Sequence, residues 1–212
     1  MRGTIPIFIL LMAPTVAVAQ ANECLADLKM PAVGRWAEYK GLMRGKDSST
    51  IRYAVIGSEQ REGKDLKWLE LRMTAKTPEK SSVFQLLTSG SPADMEQVEE
   101  VVTKFGTKAA MKLPPMMVQG LRGQVSQTSF LANLCEGLAP AGEESVTVPA
   151  GTFTALRYHS AKHESDTWVV PTLPFVVVKT KGKNFEMSLV SSGAGAKSSI
   201  VEKPQEMGFP SK

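Results

Sequence analysis

The sequence predicts a mainly β fold, a largely antiparallel sheet with a few short helices, for the part of the 212-residue chain that follows residue 21. Two observations favour this fold class. Apolar, β-branched and aromatic residues alternate with polar ones in several short runs, which is typical of strands with one buried face. Clusters of Gly, Pro, Ser and Asn separate these runs at short intervals, and tight links of this kind join antiparallel rather than parallel strands.

Residues 1–21 have the pattern of a secretory signal peptide. Arg2 precedes an apolar run at 5–13, and small residues at alternate positions lead to Ala19 and Ala21. The run is short for a membrane-spanning helix and contains a proline, so an N-terminal anchor or a buried helix is the less favoured alternative. We therefore expect cleavage after one of these two alanines, a periplasmic location, and no transmembrane segment in the mature chain.

The remaining chain is expected to form a single β-rich domain over residues 22–192. Residues 193–212 are rich in Gly, Ser, Lys and Pro and are predicted to be a disordered tail. The formal net charge is +4 at pH 7, and acidic and basic residues are interspersed without a basic block. This distribution argues against nucleic acid as a partner.

Two cysteines, Cys24 and Cys135, are the only ones in the chain. In an oxidising compartment, two cysteines more often form a structural disulfide than a reactive site. A Cys24–Cys135 bridge is therefore expected, and two unpaired buried thiols are the alternative. Cys24 does not fit the lipid-bearing cysteine of a bacterial lipoprotein, because Asn22 and Glu23 occupy positions that require small residues.

The strand predictions in the first half follow from period-two patterns. Ile51, Tyr53 and Val55 alternate, and after a polar, glycine-bounded segment a second extended pattern predicts a hairpin over residues 50–74. A short strand is predicted at 83–87. Residues 95–105 fit a helix or a strand, with the strand slightly favoured because a clear N-cap is lacking.

The second half combines a helical segment with a meander. Residues 114–138 begin with two prolines and then space apolar residues three or four apart, which predicts one or two short amphipathic helices. A hairpin is predicted around the Pro-Ala-Gly turn at 149–151, followed by strands near 168–170, 175–181 and 185–190.

The run Val146–Phe153, together with Tyr158 and the run Asp166–Pro171, resembles a segment that recurs in exported bacterial proteins of unknown function related to the lipoprotein carriers LolA and LolB. A weaker similarity covers Ala110–Met117. The resemblance implies a LolA-like curved antiparallel sheet, or half-barrel, that is covered by short helices and shelters acyl chains between the sheet and the helices.

An apolar small molecule or lipid is therefore the expected partner, with contact to another envelope protein as the alternative. Aromatic and methionine side chains suit such a ligand, although core or lid packing is their commoner role. The candidate ligand-binding residues are Trp36, Trp68, Met111, Met116, Met117, Leu121 and Trp168.

Catalytic and metal-binding patterns are weak. His159 and His163 are the only histidines, and Glu164 and Asp166 lie near them in sequence, but the positions fit a solvated hairpin end better than a metal site. No nucleophile elbow accompanies either histidine. We expect no enzymatic activity and no cofactor, and a weak divalent metal site at these residues is a distant alternative to a role without a metal.

Overall fold

The computed structural model describes residues 29–43, 46–90, 95–128 and 138–208. The protein is mainly β, and its strands form one open, curved sheet of twelve strands with few short helices. Neighbouring strands are antiparallel except at one edge, where the last strand pairs in parallel. The strands are β1 (Trp36–Met43), β2 (Lys46–Arg61), β3 (Lys64–Thr74), β4 (Ser82–Thr88), β5 (Val98–Phe105), β6 (Met111–Lys112), β7 (Leu138–Val148), β8 (Gly151–Ser160), β9 (Ser165–Val169), β10 (Val177–Gly182), β11 (Phe185–Gly193) and β12 (Gln205–Glu206).

The helical elements are few. The α-helix α1 spans Pro115–Thr128, and two single-turn 3-10 helices span Pro78–Lys80 and Met95–Gln97. Within the described ranges, no helix has the length and apolar content that crossing a lipid bilayer requires.

The strand order is β12-β6-β5-β4-β3-β2-β1-β11-β10-β9-β8-β7, so the sheet is two meanders joined where β1 pairs with β11. The predicted hairpin over residues 50–74 is confirmed as β2 and β3. Its link is the two-residue turn Glu62–Gly63, in which both residues have positive φ, 51° and 76°. Turns of this type twist as the flanking strands do, which suits a tight hairpin.

The sheet curves around one of its two faces, which we call the inner face. Tyr39 on β1, Tyr53 on β2 and Leu69 on β3 point to it and share a buried cluster with Phe175, from the loop between β9 and β10. The rings of Tyr53 and Phe175 lie 5.7 Å apart between centroids. Because their elements are distant in the strand order, this contact requires the sheet to curve, as the predicted fold class expects.

The opposite face of β1–β6, the outer face, is crossed by residues 194–207, which we call the strap. Ala196 and Ile200 of the strap are buried, and the end of the strap forms β12 beside β6. The expectation of a disordered tail from residue 193 is therefore wrong for residues 193–208. Composition misled here because the strap's small and polar residues are held by partners far away in sequence rather than by a pattern of their own.

Two boundaries also differ from those expected. The predicted helical region at 114–138 contains α1, but Leu138 at its end is a buried residue of strand β7. Residues 95–105 form a 3-10 turn followed by the strand β5, so the favoured strand prediction is confirmed. Signal residues 1–21, Cys24 and Cys135 lie outside the described residues, so cleavage and the disulfide stay predictions.

Candidate ligand-binding site

The inner face of β2–β6 is built from three rows of side chains that run across the strands. Cross-strand pairing defines them residue by residue, because directly opposite residues in an antiparallel sheet share a face. The first row is Val55, Leu69, Leu86 and Val101; the second is Tyr53, Leu71, Phe84, Thr103 and Met111; the third is Ile51, Met73, Ser82 and Phe105.

Burial decreases from the first row to the third. Val55, Leu69 and Val101 in the first row are at most 3% exposed, whereas Phe84 in the second is half-buried and Phe105 in the third is 51% exposed. The two phenylalanine rings contact each other edge to face, with centroids 5.6 Å apart. Six apolar side chains of the second and third rows keep part of their surface in solvent, and we call them the inner apolar strip: Ile51, Leu71, Met73, Phe84, Phe105 and Met111.

Helix α1 covers the sheet beside this strip. Its Val118 is buried against Val98, Val101 and Leu113, with Leu121 packed at the edge of the same cluster. The guanidinium of Arg122 anchors the helix further, because its Nε donates a hydrogen bond of 2.8 Å to the carbonyl oxygen of Val98. The helix is therefore attached to the sheet by both apolar packing and a hydrogen bond.

The structure distributes the sequence-predicted ligand residues over three places. Met111 belongs to the inner apolar strip, and Leu121 is in the helix–sheet contact. Met116 and Met117 are 72% and 38% exposed at the start of α1, five and six positions after Met111 in the chain. Of these four residues, Met111 is therefore the one that belongs to the strip, while the other three lie on the helix.

The tryptophans do not line that region. Trp36 and Trp68 are on the outer face, in register with Ala54 and Gly57 of β2. The Trp36 indole Nε1 donates to the carbonyl oxygen of Ala194 at 3.2 Å, so its ring fixes the beginning of the strap. Trp68 is half-buried in a cluster with Ile200 of the strap.

Trp168 lies in the other half of the sheet and is 8% exposed. Its Nε1 donates to the carboxylate of Glu144, and the cationic groups of Arg157 and Lys179 lie 5.7 Å and 5.8 Å from its ring centre. The indole N–H is therefore hydrogen-bonded, and two cationic side chains lie close to the ring. Core packing, the commoner role, describes Trp168 better than ligand stacking.

The histidine region is organised around Asp166. Burial raises the pKa of this carboxyl, but hydrogen bonds and charge from His159 and Arg157 outweigh burial and lower it below its usual value. His159 Nδ1 lies 3.0 Å from Asp166 Oδ1, and Arg157 Nε donates to the same oxygen at 3.1 Å. Among the described residues, no three His, Cys, Asp or Glu side chains come together as metal ligands would.

Five of the six strip residues were missed by the sequence-based site prediction. Part of the signal was present, because apolar residues alternate at 51–55 and 69–73, but a β-bulge between Val55 and Gly57 shifts the pairing that the tight turn at Glu62–Gly63 begins. Counting outward from that turn alone would bring Ile51 to Thr74 and Tyr53 to Arg72, whereas the bulge brings Ile51 to Met73 and Tyr53 to Leu71. The tryptophans drew attention by residue type, while the face on which each lies depends on this register.

Solved structures align with this chain at low sequence identity. A candidate lipoprotein from Parabacteroides distasonis is 12% identical and aligns over 77% of this chain and 96% of its own, with a TM-score of 0.38. A candidate exported protein with a YmcC-like fold from Bacteroides fragilis is 9% identical, covers 77% and 97%, and has a TM-score of 0.39. No protein-family model and no curated protein sequence matches the chain.

Proposed function

We propose that the protein is an exported protein of the cell envelope that binds an apolar ligand, a lipid or a lipoprotein acyl chain, on its inner apolar strip. The observation that carries the proposal is the partial exposure of six apolar side chains, including the Phe84–Phe105 pair, on the inside of a curved sheet. Contiguous apolar surface of this kind on a soluble protein commonly marks a binding site. The role is binding rather than catalysis.

The dimensions of the strip suit an acyl chain. It runs from β2 to β6, which is four strand spacings, or roughly 19 Å at about 4.8 Å for each spacing. One leaflet of a bilayer has a hydrocarbon depth of about 15 Å, half of the whole core. A single extended acyl chain laid across the strands would therefore be short enough to contact the strip along the whole length of the acyl chain.

The methionines give the strip adaptable surroundings. Met73 and Met111 belong to it, and Met116 and Met117 extend exposed thioether side chains from the neighbouring helix. Unbranched, polarisable side chains repack around apolar ligands of different shape at low cost. This favours a ligand class, such as acyl chains of several lengths, over one rigid molecule.

Native mass spectrometry of the mature protein, together with titration of a fluorescent fatty acid, tests the proposal. The double variant Met73→Gln/Phe105→Ser removes apolar surface at two solvent-facing positions and should weaken fatty-acid binding about tenfold. Val201→Ser is the matched control, because Val201 is apolar and 92% exposed on the strap. Absence of both a co-purifying lipid and fatty-acid binding, or equal binding by the double variant, would contradict the proposal.

A role as an envelope interaction protein without a small ligand is the second candidate. It is favoured by the large cluster around Phe175, Val177 and Leu189, where the protein's own side chains fill the interior of the curve. In this case the strip would contact a protein partner. Fatty acid would then fail to bind, while a partner captured from envelope extract would be lost with Met73→Gln/Phe105→Ser and retained with Val201→Ser.

A further inference from the structure

Two arginines stand side by side on the outer face, away from the inner apolar strip. Arg52 on β2 and Arg72 on β3 are directly opposite in the antiparallel register. Directly opposed residues have Cβ atoms about 5 Å apart, and like charges in this position destabilise a sheet. A pair of this kind calls for an explanation.

Glu38 lies opposite Arg52 on β1, but among the described residues no ion pair joins either arginine to a carboxylate. The Nε atoms of Arg52 and Arg72 are both buried and have no hydrogen-bond partner among the described residues. Arg52 only stacks on the Trp36 ring, with its guanidinium carbon 4.5 Å from the ring centre. Buried donors without acceptors are costly, so the site is incomplete without an acceptor.

The strap lies over the row of residues on one side of the arginine pair. Ser199 of the strap donates its backbone N–H to Glu70 Oε2 at 2.9 Å, and Glu70 is on the same face as Arg72, two positions earlier in β3. The Ser199 hydroxyl is buried and has no partner among the described residues. Glu70 Oε2 also accepts from Gln85 Nε2 at 2.9 Å, so this oxygen already binds two donors.

A depression of about 360 Å³ lies beside the next row of residues on the outer face. The row of residues next to the arginine pair supplies Lys40, Thr50 and Thr74 to its lining, and Lys76 follows two positions after the end of β3. Glu38, opposite Arg52, is the acidic residue of the lining. Cationic and hydroxyl groups therefore outnumber the one carboxylate in a depression whose lining lies one row from the arginine pair.

We propose that Arg52 and Arg72 form an anion site that binds a phosphate group, with the Ser199 hydroxyl and the lysine- and threonine-lined depression completing it. Guanidinium groups match phosphate oxygens through paired, parallel hydrogen bonds, and a tetrahedral phosphate has enough oxygens to accept from two such groups at once. A carboxylate, with two oxygens, would leave one of the arginines incompletely bonded. The phosphate can belong to a lipid headgroup or to a soluble compound.

Calorimetric titration of the mature protein with inorganic phosphate tests this site. The double variant Arg52→Gln/Arg72→Gln should bind phosphate at least about tenfold more weakly, as expected from the loss of charge-assisted hydrogen bonds. Lys108→Gln/Lys183→Gln removes the same charge from two exposed turn residues and should leave phosphate binding unchanged. Because the arginine variant relieves like-charge repulsion, its melting temperature should equal or exceed that of the wild type.

Co-sedimentation with phosphatidylcholine vesicles, with and without phosphatidylglycerol, identifies the source of the phosphate. Vesicle binding that is lost only in the arginine variant assigns a lipid headgroup, whereas phosphate binding without vesicle binding assigns a soluble phosphate compound. No heat of binding with phosphate, or an unchanged dissociation constant in the arginine variant, overturns the site. Fatty-acid binding at the inner strip should be the same in the arginine variant, so the two proposals fail separately.

Discussion

Tyr39 and Tyr53 show how single side chains couple the two halves of the sheet. Their rings pack edge to face with centroids 5.9 Å apart, and the Tyr39 hydroxyl donates to the carbonyl oxygen of Val177 at 3.0 Å. Burial raises the pKa of Tyr53 to about 12. Burial, and secondarily the neighbouring Tyr53, raises the pKa of Tyr39 further above its ordinary value.

The protein should therefore lose stability steeply in alkali. Both tyrosines have a raised pKa in the folded state, so their contribution to stability is complete below about pH 10, the pKa of an unfolded tyrosine, and declines as the pH rises beyond it. In the ultraviolet titration of tyrosinate, Tyr39→Phe and Tyr53→Phe should each remove part of the absorbance that develops only on unfolding. Ionisation of both phenols near pH 10 in the folded protein would contradict this burial.

At this scale the sequence predicted residue types better than residue positions. Alternation at 51–55 correctly placed Tyr53 in a strand, and it also contained the information that Ile51 and Val55 share its face. The position of Trp36 and Trp68 under the strap could not be predicted in the same way. It depends on residues more than a hundred positions later in the chain, such as Ala194 and Ile200, and on the face that the strap crosses.

The strap is the element that the sequence described least well. It has no apolar period, because only the two residues of β12 pair with a strand, and only Ala196 and Ile200 are buried hydrophobic residues. Polar contacts hold the rest, including a 2.5 Å ion pair between Lys104 Nζ and Glu202 Oε1. In contrast, the hairpins depend on neighbouring residues and specific turns, so local pattern sufficed to predict them.

Glu70 should be the residue on which the strap depends most. It is 1% exposed, and its Oε2 accepts from both Gln85 Nε2 and the Ser199 backbone N–H. Glu70→Ala would leave the Ser199 N–H without its acceptor and Gln85 Nε2 with only its hydrogen bond to Ser198 Oγ, which should lower the free energy of unfolding by about 2 to 4 kcal/mol. Glu70→Gln keeps an acceptor oxygen in place and should lose less.

Hydrogen exchange with mass spectrometry locates the effect of these variants. Glu70→Ala should increase exchange in residues 194–207 more than in β7 and β8, and urea denaturation should show the loss of stability. If Glu70→Ala and Glu70→Gln lose the same stability, the hydrogen bonds to Gln85 and Ser199 do not hold the strap.

At the scale of the whole molecule, the fold class could be predicted from the sequence, but the contacts made across the curve of the sheet could not. Each hairpin follows from a few consecutive residues, and a succession of hairpins gives one antiparallel sheet. The packing of Phe175 on Tyr53, and the hydrogen bond from the Ala150 N–H to the Leu189 carbonyl oxygen, join elements that only the curved sheet brings together. Which part of the interior is filled and which stays open is decided by those distant contacts.

Phe175 should accordingly stabilise the whole domain rather than its own loop. It is 5% exposed and belongs to the cluster that includes Tyr39, Tyr53, Trp168 and Leu189. Phe175→Ala removes a large buried ring at the point where the two halves of the sheet meet, and should cost about 3 to 5 kcal/mol. Val201→Ala, at a position 92% exposed, should change stability by less than about 0.5 kcal/mol.

Urea denaturation followed by both circular dichroism and tryptophan fluorescence separates a shared core from two independent ones. With one core, the two signals of Phe175→Ala shift together to a lower midpoint, because the strands and the tryptophans unfold in one transition. Trp36 and Trp68 report on the half that the strap covers, and Trp168 reports on the other half. A shift confined to one signal, with the other at its wild-type midpoint, would show that the two meanders unfold separately and that Phe175 does not unite them.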